Sequence, residues 1–358
     1  MRRRFLALLF SLLTPAFSQT LEVSERRAVA ASRKIHYGFP RMVRAVNGDL
    51  LLFYRVGVTH VYDPSTIVMR RSSDNGVTWS AEGEIHRDPK PDHSATNTVP
   101  LVTPSGRILN WLSSFGFQNP NTREPTYWRY SDDHGATWSP MQLFDSDKTR
   151  SSYYVTDAIN TSDGMLACAA TFPPSFAGNC WAVMWHSANG GKTWKVRSNL
   201  TSPTENRGDE VALLETSPGS ILCLLRARQR PDNPLRKGLY QFRSSDGGKT
   251  WVEGENLLAA LGCTLQRPVL TRLDKSTILL TGRDFDRKLI VAYISRDNAR
   301  TFGDRHVVDS YQGDGAYTSA VSIAPGTVLM AYYSDVDSAP RMADIFTVKM
   351  KVLPRTRR

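Results

Sequence analysis

Two sets of positions in this chain hold residue types that could do chemistry together. Nine residues before each of six turn positions stand Phe39, Asn97, Val155, Glu210, Arg267 and Tyr317; seven residues after stand Arg55, Ser113, Thr171, Arg226, Arg283 and Tyr333. Strand positions need only generic side chains, yet these hold arginines, a glutamate and two tyrosines. A carboxylate beside a phenol can accept its proton and make it a nucleophile. Guanidinium groups recognise an anion through forked, charge-assisted bonds. The bland alternative is that the charges pair with one another to satisfy a polar channel. Further candidates flank the same positions: His60 and Asp63 after the first, Asp92 and His93 before the second, Tyr153, Tyr154 and Asp157 at the third, Arg41 near the first and Arg287 after the fifth. Each of these, taken singly, also reads as a loop tether.

A repeat must position them. The turn positions are Gly48, Gly106, Gly164, Gly219, Ser276 and Gly326, spaced 50 to 58 residues apart. Around each, a short alternating run, a polar turn and a run rich in Leu, Ile and Val form a β-hairpin signature. Between the hairpins lie SSDNGVTW (from Ser72), SDDHGATW (from Ser131), SANGGKTW (from Ser187), SSDGGKTW (from Ser244) and the worn copy SRDNARTF (from Ser295). Two hairpins per period make a four-stranded module, and six modules make an all-β, six-bladed β-propeller with box repeats. The sixth module lacks a box, so the segment around Leu21 to Ile35 is expected to supply its missing outer strand. The boxes read as turn chemistry: Asp or Asn bonds the turn backbone, Gly permits positive φ and Trp packs. Asp74, Asp133 and Asp246 are therefore expected to be structural, and the first box lacks calcium-loop spacing. Hairpin geometry sends the Gly turns and boxes to one end. The long connections, and with them function, go to the other.

Residues 1–18 read as a signal peptide: Arg2, Arg3 and Arg4, an apolar stretch from Phe5 to Leu13, and a small-residue site at Ala16-Phe17-Ser18. The expected product is a propeller over residues 19–358, secreted or periplasmic, with no membrane anchor. Loss of the three arginines lowers the formal net charge from +11 to +8. A positive surface steers anionic ligands, and no interleaved basic-aromatic segment favours nucleic acid. The expected partner is a glycan or sugar substrate, met by a monomer. No metal-ligand cluster is legible, and nothing signals an organic cofactor. Of the four cysteines, Cys168, Cys180, Cys223 and Cys263, only Cys168 and Cys180 fall within one module. Spacing does not fix connectivity.

On these motifs the chain resembles the sialidase (neuraminidase) superfamily, specifically its exported bacterial members with BNR, or Asp-box, repeats. The resemblance covers nearly all of residues 19–358. DPSTIVMRRSSDNGVTW (Asp63 to Trp79) is similar to the segment carrying the family's acid/base, which implies Asp63. DEVALLETSPGSILCLLR (Asp209 to Arg226) is similar to the segment with its glutamate and one triad arginine, which implies Glu210 and Arg226. GDGAYTSAVSIAPGTVLMAYY (Gly313 to Tyr333) is similar to the segment with its nucleophilic tyrosine, which implies Tyr317. A further triad arginine falls at Arg283 or Arg287. The family's first-strand Arg-Ile-Pro is replaced by Gly38-Phe39-Pro40, which leaves Arg41 and Arg55 as substitutes. The implied activity is a retaining glycoside hydrolase of the exo-α-sialidase type, with Arg226, Arg283, Arg41, Arg55, Arg287, Asp92, Asn97 and Arg267 about the substrate. Two rivals remain. One is a glycosidase for a neutral arabinan- or rhamnose-type sugar, using a carboxylate pair from Asp63, Asp92 and Glu210. The other is a non-catalytic glycan-binding propeller.

Overall fold

The computed structural model describes residues 21–118, 125–144, 151–172, 180–201, 210–227, 237–339 and 341–353. The expected leader, residues 1–18, and the side chain of Tyr153 lie outside the described residues. Among the described residues six antiparallel sheets form; the first five each have four strands in simple succession, and the sixth has three, with two short N-terminal strands along the outer edge of its last. Blade 1, for example, runs His36–Arg44, Leu50–Gly57, Thr66–Ser72 and Gly83–Arg87. This is the expected propeller.

The second strand of each blade is a continuous apolar run because both of its faces pack on neighbouring blades. Leu50, Leu51, Leu52, Phe53 and Tyr54 are all fully buried. Outermost strands such as Val252–Asn256 are largely exposed. First strands line the axis, and all six contribute to an axial cavity of about 150 Å³ that reaches Arg41 and Asp157.

The ring closes as expected. Leu21–Val23 pairs with Asp344–Val352 of blade 6, and Arg27–Ala30 pairs further along the same strand. Arg26 adds ion pairs to Asp309 and Asp337.

The boxes are staples, and the staple joins blades. Within a box the Asp binds its own turn: Asp133 accepts from the Thr137 hydroxyl at 2.6 Å and the Thr137 amide at 2.8 Å. The box aromatic reaches the preceding blade. Trp138 meets Phe53 edge-on at 5.9 Å, and Trp194 meets Trp111 at 5.2 Å. Boxes and hairpin turns share one end of the ring, joined by Gly247 N–H to Gly219 O and Asn298 N–H to Ser276 O. Cys168 and Cys223 are buried free thiols of neighbouring blades, so Cys168 forms no bridge to Cys180. Burial pushes the Cys168 thiol up to about 12. Among the described residues, no helix is long and apolar enough to cross a membrane.

Candidate active site

Five of the six first strands break register at the phase positions: between Gly38 and Arg41, Ala95 and Asn97, Val155 and Asp157, Gln266 and Val269, and Gly315 and Thr318. A bulge inserts a residue and re-aims side chains that would otherwise alternate. At these bulges Phe39, Arg267 and Ala316 take φ of 55°, 50° and 78°. That conformation is costly for residues with a Cβ, and such strain gathers at functional sites.

Tyr317 and Glu210 meet there. Tyr317 Oη donates to Glu210 Oε1 at 2.6 Å, across 107 residues of sequence. Arg226 Nη1 donates to Glu210 Oε2 at 2.5 Å. The Arg283 guanidinium lies 4.9 Å from the Tyr317 ring centre and that of Arg267 lies 5.5 Å away. Arg283 is clamped by the Gln266 side-chain oxygen at 2.7 and 2.9 Å and by Gly315 O at 3.1 Å. Arg41 reaches from blade 1 to Thr156 O at 2.6 Å. Asn97 holds Val155 O at 2.8 Å and faces Arg267 at 3.5 Å.

The electrostatics follow from this packing. Burial alone would raise the Glu210 carboxyl, but Arg226 and Arg267 outweigh it and hold the group well below the usual carboxylate range. Burial raises the Tyr317 phenol, and the Glu210 charge adds to this, against the opposing pull of Arg283 and Arg226. The resting pair is thus an ionised Glu210 and a neutral phenol that already points its proton at the carboxylate. Burial, and then Arg267, push the Arg41 guanidinium down to about 9, which still leaves it charged at neutral pH.

The structure corrects four expectations. Asp63 is engaged by Arg55 and by its own loop. It is 4% exposed and accepts from Arg55 Nη2 (2.6 Å), Val58 N (2.7 Å), Thr59 N (3.0 Å) and Thr59 Oγ1 (2.5 Å). Burial would raise its carboxyl, but Arg55 and these donors hold it low. Arg55 is 0% exposed and is consumed by this lock, so it does not replace the missing first-strand arginine. Gly57 makes room for the lock: a Cβ there would lie 2.5 Å from Asp63 Oδ2 and 2.6 Å from both terminal Arg55 nitrogens. Arg287 pairs with Asp284 and Gly262 O, so Arg283 is the arginine beside Tyr317. Asp92 is 43% exposed and faces His93. Asp63, Asp92 and Glu210 therefore form no facing carboxylate pair.

Val155, Ser113 and Thr171 are buried wall residues, and Tyr154 packs on Ala170 and Cys180. Asp157 bonds the Leu213 amide at 2.8 Å.

One cluster was missed. Asp314 Oδ2 lies 2.7 Å from His36 Nε2 and 2.7 Å from His60 Nδ1, while Tyr333 Oη donates to Asp314 Oδ1 at 3.1 Å. Of these, His36, His60 and Asp314 also have the composition of a metal-ligand set. The signal in the sequence was Asp314 between two glycines, three residues before Tyr317.

Asp63, Glu210 and Asp314 all have folded-state carboxyls below the unfolded range. Burial in Asp157 works the other way. For the first three, stability is fully present above the unfolded values of about 4 and is lost as pH falls through the folded ones. The urea midpoint is expected to fall steeply below about pH 4; urea melts that stay flat down to pH 3 would contradict these assignments.

Comparison with known proteins adds to this. The BNR repeat-like domain family model matches residues 79–330. A sialidase of Bacteroides fragilis is 27% identical over 256 residues, covering 63% of this chain and 44% of that protein. The chain spans about half the length of the curated relatives it matches. Among solved structures, a Dyadobacter fermentans protein of unknown function aligns with TM-score 0.78 and 19% identity, over 93% of this chain and 99% of that one. A Hadza microbial sialidase aligns with TM-score 0.71 and 19% identity, over 87% and 65%.

Proposed function

The chain belongs to the BNR repeat-like domain family, and from that premise and the geometry above we propose that it is a sialidase-like retaining glycoside hydrolase acting on a terminal acidic sugar. The observation that carries the reading is the 2.6 Å bond from Tyr317 to Glu210 beside three arginines, Arg226, Arg267 and Arg283, with the Arg41 charge felt at Glu210. A sugar carboxylate next to the anomeric carbon would repel a carboxylate nucleophile. A neutral phenol avoids that repulsion, and glycosidases of this kind are the tyrosine-nucleophile exception. Glu210 takes the phenol proton as Tyr317 oxygen attacks the anomeric carbon. Arg283 and Arg267, over the ring, favour the developing phenolate, and the arginine cluster grips the substrate carboxylate. The same cluster would leave charges uncompensated around a neutral sugar, which disfavours the arabinan- or rhamnose-type reading. The basic leader and its small-residue site support an exported protein, secreted or periplasmic.

The test is a panel of chromogenic glycosides with the purified protein. Turnover is expected on sialosides, with neutral arabinosides and rhamnosides inert. Turnover confined to the neutral members would sink the proposal. Arg226→Ala is expected to cost about 10²-fold or more in kcat/KM, since it removes a charge-assisted carboxylate contact and leaves Glu210 less well held.

A further inference from the structure

The reaction proposed above lacks a donor for the departing oxygen. Asp63 is enclosed by Arg55 and its own loop, and Glu210 is engaged with Tyr317 and Arg226. We propose that His60, positioned by Asp314, gives and takes that proton; the inference rests on the glycosidase reading.

His60 projects from the connection between the second and third strands of blade 1. Asp63 pins this connection through Val58 and Thr59, so the buried carboxylate holds the loop that presents the imidazole. The His60 side chain is 43% exposed. Its Nδ1 faces Asp314, which leaves Nε2 as the ring nitrogen available to a ligand. The ring lies 5.0 Å from that of Phe39, which lies 5.5 Å from that of Tyr317, so Phe39 separates the imidazole from the phenol by a single ring. Asp314 is fixed in turn by His36 and Tyr333, with the Arg55 charge behind it. A carboxylate on one imidazole nitrogen selects the tautomer and supports the imidazolium formed at the other.

The steps balance. Starting as the imidazolium, protonated on both nitrogens, His60 gives its Nε2–H to the glycosidic oxygen as the bond to the anomeric carbon breaks, Tyr317 oxygen bonds that carbon and Glu210 takes the phenol proton. A water then attacks the carbon while losing its proton to Nε2. The Tyr317–carbon bond breaks, and Glu210 returns the phenol proton. Asp314 keeps Nδ1–H throughout and is a positioning residue.

The experiment compares His60→Gln with wild type across sialosides of different leaving groups. His60 is largely open, so the variant is expected to fold, checked by circular dichroism and thermal melting. The expected loss in kcat/KM, which reads the first step, is about 10²–10⁴-fold for a sugar leaving group, which needs protonation, and within about ten-fold for 4-nitrophenol, which does not, while kcat on the nitrophenyl substrate falls because the second step lacks its base. Azide, a nucleophile with no proton to lose, is expected to restore turnover on the nitrophenyl substrate. Asp314→Asn should show the same leaving-group pattern in smaller degree. A loss in kcat/KM uniform across leaving groups would overturn the proposal. So would wild-type activity abolished by EDTA and restored by Zn²⁺, which would assign His36, His60 and Asp314 to an ion. If the wild type is silent on every acidic glycoside, the substrate reading fails instead and the ring tautomer decides. Nitrogen-15 NMR of the neutral ring, assigned with His60→Gln, should then show Nδ1–H in the wild type and a shift toward Nε2–H in Asp314→Asn. An Nε2–H tautomer in the wild type rejects the dyad.

Discussion

Tyr317→Phe is expected to lower kcat on the best acidic substrate by about 10³-fold or more while substrate binding survives. The substitution removes one oxygen. The ring keeps its packing against Phe39 and Tyr333 and its place under Arg283 and Arg267. Glu210 loses the phenol bond but stays paired with Arg226. The stability cost is therefore that of one hydrogen bond to a charged group, about 1.5–3 kcal/mol. Steady-state kinetics and binding of an anionic inhibitor separate the outcomes. If Tyr317 only shaped the pocket, KM would rise and kcat would persist. A phenylalanine variant with near-native kcat would remove the nucleophile assignment and leave a carbohydrate-binding propeller.

The second large effect falls on folding. Asp63→Asn is expected to destabilise the protein by about 3–5 kcal/mol, because it leaves the Arg55 charge buried without its partner. The amide also turns one acceptor into a donor against the Val58 and Thr59 amides, which already point at that side chain. Turnover by the folded fraction should fall less than in His60→Gln, because the imidazole is still present on a loop that has lost part of its anchor. Urea melts joined to kinetics on the folded protein decide this. Unchanged stability with activity lost would return Asp63 to the role of acid/base. Replacing Arg55 and Asp63 together by apolar residues should recover part of the loss, because no unpaired charge then remains.

These two residues show what a sequence carries. The blade count, the box staples and the closing strand are all periodic features, and period is readable without coordinates. The Tyr317–Glu210 contact was legible for the same reason: equivalent positions in successive blades converge on the axis, so phase alone brought residues 107 apart together. Asp63 was not legible. Its role depends on Arg55 being wholly buried and on Gly57 leaving space, and neither fact has a periodic signature. The choice between Arg283 and Arg287 turned on strand pairing, because Arg283 sits opposite Gln266 in the ladder while Arg287 lies beyond it. The His60–Asp314 contact spans 254 residues through connections outside the repeat, so phase could not predict it.

The latch of blade 6 bears on how the molecule assembles. Residues 21–30 have no sheet of their own until Asp344–Val352 is in place, and the Ser24 hydroxyl meets the Lys349 amide across 325 residues. Loop closure over such a span is slow, because its entropy is lost before its contacts form. A chain made from its leading end would carry this ribbon unpaired until Asp344–Val352 has been made. Arg26, between the two short strands, would find Asp309 and Asp337 only when the ring closes.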